Sequence, residues 1–352
     1  MIINYLEELQ SMTLNGTHEL GRDLDFQDNA CYQNVANKTA WTTGTGFPGI
    51  RTSGDYTFLG NFDGKGFKIK NHYVNNSSSS GYTTLFGTIR GNAVVKNLIL
   101  ENSTINAYYA AGLAEDLKDN AIIDNVHVIN ANITGISHAG GLIAGHEYYS
   151  IIRNCSFDGT LNANTYSGGI VANGWSYAGA LVSKCKTSGT ITGGTANTYR
   201  GGIMGDQNDT VIIEDCYSEM TVPSGNNSAT IIGMATNTTT IRRCWTNKAA
   251  GNYTIYQTGS PIIANNFYDS TTTGLASSQG ATARTTVQMK TLNTFSTWDI
   301  EGKEVFNPAA ATNWFIDETI DYPRLWWEYA KDEPPPETKR RSSSAVALLM
   351  MA

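Results

Sequence analysis

The amino-acid sequence predicts an all-β fold: a right-handed parallel β-helix, or solenoid, with short helical caps. The first observation is a repeated motif of one aliphatic residue, two mostly polar residues and one small or apolar residue. Its six copies are Val95–Leu98, Ile123–Val126, Ile152–Cys155, Val182–Cys185, Ile213–Cys216 and Ile241–Cys244, with starts 28, 29, 30, 31 and 28 residues apart. A weaker copy, Ile263–Asn266, follows 22 residues later.

The second observation is a glycine motif between these copies. It reads "LFG" at 85–87, "GLA" at 112–114, "GGLIAG" at 140–145, "GGIVANG" at 168–174, "GGIMG" at 201–205 and, degraded, "IIGM" at 231–234. The two motifs repeat together every 28–31 residues, and their apolar residues do not follow the spacing of an α-helix. This pattern indicates coils of about three short strands, stacked about 4.8 Å apart. Composition agrees, because only 16% of residues are charged and 35 are glycine, beside abundant Thr, Asn and Tyr. A β-sandwich with accidental repetition is the alternative fold, whereas leucine-rich and ankyrin repeats lack support.

The spacing of the two motifs also predicts how the chain is divided into segments. Residues 1–26 are predicted to form a cap helix and first strand, 27–284 the repeats, and 285–329 a carboxyl-terminal cap. The repeat anchors fall near residues 97, 125, 154, 184, 215, 243 and 265. Asn tolerates the left-handed backbone at little cost, so we expect a turn at each asparagine that precedes an inward residue. These are Asn97, Asn125, Asn154 and Asn265.

The last segment, 330–352, has a different composition: a proline-rich linker, a basic cluster and an apolar end. Eight apolar residues are too few to span a bilayer. A disordered tail is one interpretation. The other is a docking peptide that enters a groove on a partner or neighbouring subunit, with Arg340, Arg341, Leu348 and Leu349 as its contact residues.

The glycine steps, with "NFDGKGFKIKN" at 61–71, resemble proteins with GLUG repeats. Such repeats occur in bacterial surface adhesins and as a non-catalytic region of some secreted peptidases. The likeness covers most of the chain, including its opening and its "YPRLWW" closing segment at 322–327. It implies a β-helical binding region and says little about the ligand. The chain departs from the pattern in its sixth copy, which lacks the Gly-Leu step, and it has no H-E-x-x-H peptidase motif.

Charge and hydropathy exclude several partners. A net charge of −7 argues against nucleic acid, which needs a basic surface. No apolar stretch reaches the roughly 18 residues of a membrane span. The start "MIINYLEELQSM" does not look like a signal peptide. A removed leader, an unusual export route and release inside a virion all stay open, and the expected location is extracellular, on a cell surface or in a virion.

Four cysteines, Cys155, Cys185, Cys216 and Cys244, occupy one anchor column and continue Leu98 and Val126. A metal site needs convergent ligands, whereas residues of one column point the same way. Parallel Cβ vectors also disfavour disulfides between neighbouring coils. We therefore predict buried, reduced thiols that act as small apolar residues, with no metal and no cofactor.

The carboxylates near the glycine turns are candidates for polysaccharide chemistry, by analogy with enzymes on β-helices. These are Glu115, Asp116, Asp119, Glu147, Asp206 and Asp209. Asp116 and Asp206 share an aligned position, but Gly145 and Asn173 intervene, which predicts a separation of about 14 Å. That exceeds the spacing of about 6.5–9.5 Å in inverting glycosidases. His146 and Glu147 are adjacent and should face opposite ways. We therefore expect no catalytic residues.

An aromatic column precedes the glycine motif: Tyr109, His138, Tyr166 and Tyr199. Flat rings suit sugar faces and protein hot spots. Trp175 adds a loop aromatic. Strict alternation back from an inward Leu142 would turn His138 inward, whereas a bend at the glycine pair would turn the column outward, and the sequence leaves this open.

The leading hypothesis is a non-catalytic adhesin or receptor-binding protein that recognises a glycan or a protein receptor. A polysaccharide lyase or glycoside hydrolase is the alternative. The third is a structural subunit that assembles into a larger particle through its tail.

Overall fold

A computed structural model describes residues 1–50, 56–77, 84–174, 179–194, 198–236, 238–303 and 312–329. The chain divides into two compact units, 1–289 and 290–352. Trp175 and the predicted docking tail with Arg340, Arg341, Leu348 and Leu349 lie outside the described residues.

The first unit is a parallel β-solenoid, so the predicted fold class is confirmed. Its larger sheet winds around the coil, and every pairing between its strands is parallel. The described strands are Ile2–Ile3, Thr17–Leu20, Leu24–Asp25, Asn61–Asp63, Lys68–Lys70, Tyr73–Asn76, Val94–Glu101, Thr104–Ala111, Ile122–Gly140, Ile151–Arg153, Ser156–Ala163, Tyr166–Gly168, Ala180–Ser183, Lys186–Thr192, Tyr199–Gly201, Val211–Glu214, Tyr217–Thr221, Ser228–Ala229, Thr240–Arg242, Trp245–Thr246, Ile262–Ala264, Phe267–Asp269 and Thr282–Arg284.

A second parallel sheet forms another side of each coil. Its strands are Thr57–Phe58, Phe86–Ile89, Ala114–Leu117, Ile143–His146, Val171–Gly174, Met204–Gln207, Ile232–Met234 and Tyr256–Thr258. The first unit also holds the short helices Leu6–Gln10, Ala36–Thr42, Ser270–Thr273 and Thr286–Met289 and the 3₁₀ turn Asn29–Cys31. Leu6 and Leu9 of the first helix are fully buried, so this helix packs through its apolar side.

The alignment of the repeats predicted from the sequence matches the residue pairing between neighbouring strands of the sheet. The aliphatic position of each anchor pairs with the same position one coil away, in the order Val95, Ile123, Ile152, Val182, Ile213, Ile241 and Ile263. The column also extends toward the amino terminus through Phe62 and His18. Sequence reasoning missed these two coils because an aromatic and a histidine replace the aliphatic residue.

The turn after each aliphatic anchor has a left-handed residue. The φ angles of the four predicted asparagines are +53°, +57°, +56° and +55° at Asn97, Asn125, Asn154 and Asn265. Lys184, Asp215 and Arg243 hold the same position with φ of +52°, +51° and +52°. Two of the asparagines pair between coils, since the Asn125 amide donates to Asn97 Oδ1 at 2.9 Å, whereas the Asn154 amide donates to Asp124 Oδ1 at 2.8 Å. Where asparagine is lost, Arg243 binds Asp215 at 2.7 Å instead.

The interior is apolar along its length, and the four aligned cysteines are part of it. Each is a free thiol with 0% exposure. Each thiol also donates to the carbonyl two residues earlier, for example Cys185 Sγ to Ser183 O at 3.2 Å. The Ser183 carbonyl already accepts the backbone N–H of Asn154 on the neighbouring coil at 3.2 Å, so the thiol is a second, weak donor to it.

The second unit is described over 290–303 and 312–329. It contains a 3₁₀ turn, Leu292–Phe295, three strands, Ile300–Gly302, Trp314–Ile316 and Arg324–Leu325, and the short helix Trp326–Tyr329. The last two strands are antiparallel. Phe295, Trp298 and Trp314 form its core, with successive ring centroids 4.9 Å apart. That this unit caps the last coil stays a prediction.

Candidate functional site: a cleft between an aromatic ladder and carboxylates

A sharp concave bend joins the two sheets at the repeated glycines. A Cβ atom at Gly140, Gly168 or Gly201 would lie 1.8, 1.8 or 1.7 Å from the carbonyl oxygen three residues later. Only glycine permits this approach, so the motif recurs because the bend recurs. The bend turns the strands before and after it toward each other and forms the two walls of a cleft, whose volume is about 130 Å³ around Tyr109 and His138.

The first wall is the predicted aromatic column, which pairs in register through Tyr109, His138, Tyr166 and Tyr199. Ring centroids of successive members are 4.8, 4.6 and 5.1 Å apart, and the last two rings stack within 15° of parallel. The three tyrosines are half-buried, and His138 is 3% exposed yet lines the cleft. Tyr109 and His138 line the cleft, and Tyr166 and Tyr199, half-buried, continue the same column on the next two coils. We call it the ring ladder.

The ring ladder turns outward because the strand alternation is interrupted. Ala107 pairs with Gly135 and Tyr109 with His138, so one strand carries an extra residue between these pairs. The bulge precedes His138, so it is the bend at Gly140, between His138 and Leu142, that reverses the orientation that strict alternation back from Leu142 would give. Neither feature follows from the sequence pattern alone.

The opposite wall carries carboxylates from two coils. Lys118 Nζ lies 3.2 Å from Asp116 and 3.1 Å from Glu147, which brings those two carboxylates to one ammonium. Glu115 lines the same cleft. Gly145 makes room for this group, because a Cβ there would lie 2.3 Å from Asp116 Oδ1. From the sequence we expected no catalytic group among these carboxylates, and no sequence signal singled out Lys118, which brings Asp116 and Glu147 together.

Burial controls protonation in the cleft. It raises the pKa of Glu115 to about 8, with a further contribution from the neighbouring charge of Asp116, while Lys118 opposes the rise. Burial also raises the pKa of Asp116 against the stabilising effect of Lys118. The same cause lowers the pKa of His138 to about 4. At neutral pH the cleft thus holds a protonated Glu115 and a neutral His138.

Farther along the same wall, the Asp116 column continues through Gly145 and Asn173 to Asp206. Asn173 and Asp206 are 3% and 2% exposed. The Asn173 amide nitrogen lies 3.4 Å from His138 Nε2, and His138 Nδ1 lies 2.9 Å from Ser137 Oγ. Burial raises the pKa of Asp206 to about 7.

Three buried oxygens in this wall have no hydrogen-bond partner within the described part of the chain: Glu115 Oε2, Asn173 Oδ1 and Asp206 Oδ1. Buried acceptors are normally satisfied, so these oxygens are candidates for a donor from outside the chain. Glu115 lines the cleft, and Asn173 and Asp206 continue the register of Asp116 on later coils. No sequence signal could have found them, because they depend on which coils meet across the bend.

His146 and Glu147 separate as the sequence predicted. His146 is fully buried inside the coil, while Glu147 faces the cleft. Among the described residues, no group of three or more His, Cys, Asp or Glu side chains is arranged to hold a metal ion. No described helix has both the length and the apolar character required to cross a membrane.

This geometry defines a class: a parallel β-solenoid with a ring-lined cleft at its glycine bends. Comparison with protein families then places the GLUG motif at residues 135–162, which covers His138 and Gly140 of the cleft. The resemblance to GLUG-repeat proteins is thereby confirmed for this stretch. Halomucin of Haloquadratum walsbyi is 28% identical over 161 residues, which are 44% of this chain and 2% of that protein.

Among solved structures, the chain is similar to a crystal structure from Bacteroides ovatus described as a candidate immunoglobulin A1 protease. The TM-score is 0.47 at 16% identity, over 93% of this chain and 92% of that one. A likeness of this degree carries no inference about activity.

Proposed function

We propose that the protein is a recognition module that binds an extended glycan lengthwise in the cleft, with sugar faces against the ring ladder. The observation that carries the proposal is the continuous row of rings from Tyr109 to Tyr199, each one coil from the next. Because neighbouring rings such as Tyr166 and Tyr199 stack on one another, the ladder presents a row of apolar ring edges and tyrosine hydroxyls at low entropic cost, and its repetition suits a repeating polymer. The acidic cleft and the net charge of −7 argue against nucleic acid.

The module is expected to act outside the cell, on a cell surface or in a virion. The GLUG motif supports this location, since the resemblance is to adhesin repeats. Assembly through the carboxyl-terminal tail, and a protein receptor in place of a glycan, stay separate hypotheses.

The test is binding of neutral and charged oligosaccharides by isothermal titration calorimetry, with Tyr166→Ala as the principal variant. Removal of a stacking partner costs about 1–3 kcal/mol at a hot spot, so affinity should fall about tenfold or more. Tyr149→Ala is the control, because Tyr149 is 57% exposed and not part of the ring ladder. Equal affinities of the two variants and the parent protein would contradict the proposal.

A second candidate function is polysaccharide hydrolysis in the same cleft. It is favoured by a protonated Glu115 close to carboxylates held by Lys118, since divergent pKa values often mark acid–base pairs. Release of reducing sugar tests it. If Asp116→Asn abolished such release while Tyr166→Ala had no effect on binding, the enzyme would be the correct interpretation.

A further inference from the structure

We infer that the cleft selects uncharged glycans whose hydroxyl groups donate hydrogen bonds to Glu115, Asn173 and Asp206, and that it excludes anionic polysaccharides. This inference rests on the proposed function and narrows it to one chemical class of ligand. It follows from the oxygens without partners, the balance of charge and the position of the rings.

The orphan oxygens define what the ligand must supply. An acceptor buried without a donor costs free energy, which a ligand recovers if it brings an O–H group to that place. Asn173 Oδ1 and Asp206 Oδ1 belong to adjacent coils, and Glu115 lies farther along the same wall. A single hydroxyl cannot reach all three, but a chain that lies along the coil axis passes each in turn. A sugar polymer carries donors at such intervals and apolar ring faces for the ring ladder.

The balance of charge defines what the ligand must not carry. Lys118 is the cation that lines the described cleft, and its ammonium is already bound by Asp116 and Glu147. A uronate or sulfate would enter beside those carboxylates with no uncommitted cation to meet it. Like charges at about 4 Å repel by several kcal/mol at the effective dielectric constant near a protein surface. The acidic wall therefore acts against anionic chains as a selectivity element.

The experiment compares neutral hexasaccharides (cellohexaose, xylohexaose and mannohexaose) with hexagalacturonate by calorimetry at pH 7 and low salt. We expect at least one neutral chain to bind, and hexagalacturonate to bind at least about tenfold more weakly. Added salt should narrow the difference, since it screens repulsion. Hexagalacturonate bound as tightly as the best neutral chain would overturn the inference while leaving glycan binding intact. If no oligosaccharide bound, the proposed function itself would fail.

Two variants test the charge repulsion and the hydrogen-bond acceptor separately. The double variant Asp116→Asn, Glu147→Gln removes the two carboxylates bound to Lys118 and leaves the protonated Glu115 in place, and we expect hexagalacturonate then to bind within about threefold of the neutral chain. Asn173→Leu removes one acceptor without a change of charge, and should weaken the neutral chain by about fivefold or more. Asn132→Leu, at an exposed strand position, is its matched control. Circular dichroism verifies that each variant is folded. An unchanged preference in a folded double variant would show that the carboxylates do not cause the selectivity, and would overturn the inference.

Discussion

The ammonium of Lys118 binds the carboxylate of Glu147 on the next coil at 3.1 Å, and it also binds Asp116 on its own coil at 3.2 Å. One side chain thus joins two coils at the wall of the cleft. Its pKa is raised: burial opposes the rise, and the two carboxylates outweigh it. This contact connects the stability of the solenoid with the charge of the site.

The first prediction concerns this ion pair. Lys118→Met should lower the free energy of unfolding by about 1–2 kcal/mol at pH 8, because it leaves two partly buried carboxylates without a cation. The loss should be smaller at pH 5, because burial raises the pKa of Asp116 and more of that carboxyl group is protonated there than at pH 8. Urea unfolding at both pH values measures it. Arg90→Gln is the control, since the Arg90–Asp119 pair is exposed and should contribute less than about 0.5 kcal/mol.

The second prediction concerns pH. The pKa of Glu115 is about 8 in the folded chain against 4.5 for an ordinary glutamate. Between these values the folded state keeps a proton that the unfolded state has lost, so this group makes stability fall as pH rises, up to about pH 8. Glu115→Gln removes the ionisation. The variant should therefore gain stability over the parent protein at pH 9 and gain little at pH 4, as measured by thermal unfolding.

Asp63→Asn is the matched control of opposite sign. Burial opposes the shift, but hydrogen bonds from Asn97 and Lys65 lower the pKa of Asp63. Its carboxylate therefore stabilises the fold above the ordinary aspartate pKa, and the asparagine variant should lose stability at pH 7. If Glu115→Gln also lost stability at pH 9, the buried, protonated state of Glu115 would be wrong.

The third prediction concerns the glycine bend. Gly168→Ala should destabilise the solenoid by about 3 kcal/mol or more, because its Cβ would lie 1.8 Å from the carbonyl oxygen of Val171. It should also weaken glycan binding, since the bend orients the ring ladder. Gly66→Asn is the control: its φ is +80° and a Cβ there meets nothing within 4 Å. Asparagine tolerates such a backbone, so this change should be nearly neutral. Equal stability of both variants would contradict the proposed role of the bend.

The fourth prediction concerns the cysteine column. Folded protein should resist a thiol reagent at Cys155, Cys185, Cys216 and Cys244, and react at all four once unfolded, because each is fully buried. Burial also raises the thiol pKa of Cys185, Cys216 and Cys244, which further suppresses reaction. Mass spectrometry after brief labelling gives the measurement. Rapid labelling of these thiols in the native state would falsify the inward orientation.

A substitution in the same column provides a stability test. Cys185→Asp should cost several kcal/mol in urea unfolding, because a buried carboxylate there has no counter-charge. Cys185→Ser is the control, since its hydroxyl can still donate to the carbonyl of Ser183. A charged variant as stable as the serine variant would contradict the buried column.

The sequence by itself determined the register of the solenoid. Aliphatic residues such as Val95 and Ile123 repeat because each coil must bury the same inward position, and asparagines such as Asn97 repeat because the turn there is left-handed. The same local requirement recurs in every repeat, so one sequence is sufficient to identify it. The buried cysteines follow for the same reason.

Only the tertiary structure decided the orientation of Tyr166 and the meeting of Asp116 with Glu147 at Lys118. A bend of a few residues at the glycine pair reverses the side to which the preceding residues point, and a sequence pattern alone does not show that the bend occurs. The orphan oxygen of Asp206 depends likewise on the stacking of neighbouring coils and on burial in the cleft wall. The repeats determine which residues share a column. The interactions in the site, however, join side chains of different columns that face one another across the cleft. Their distances are set only when the chain folds.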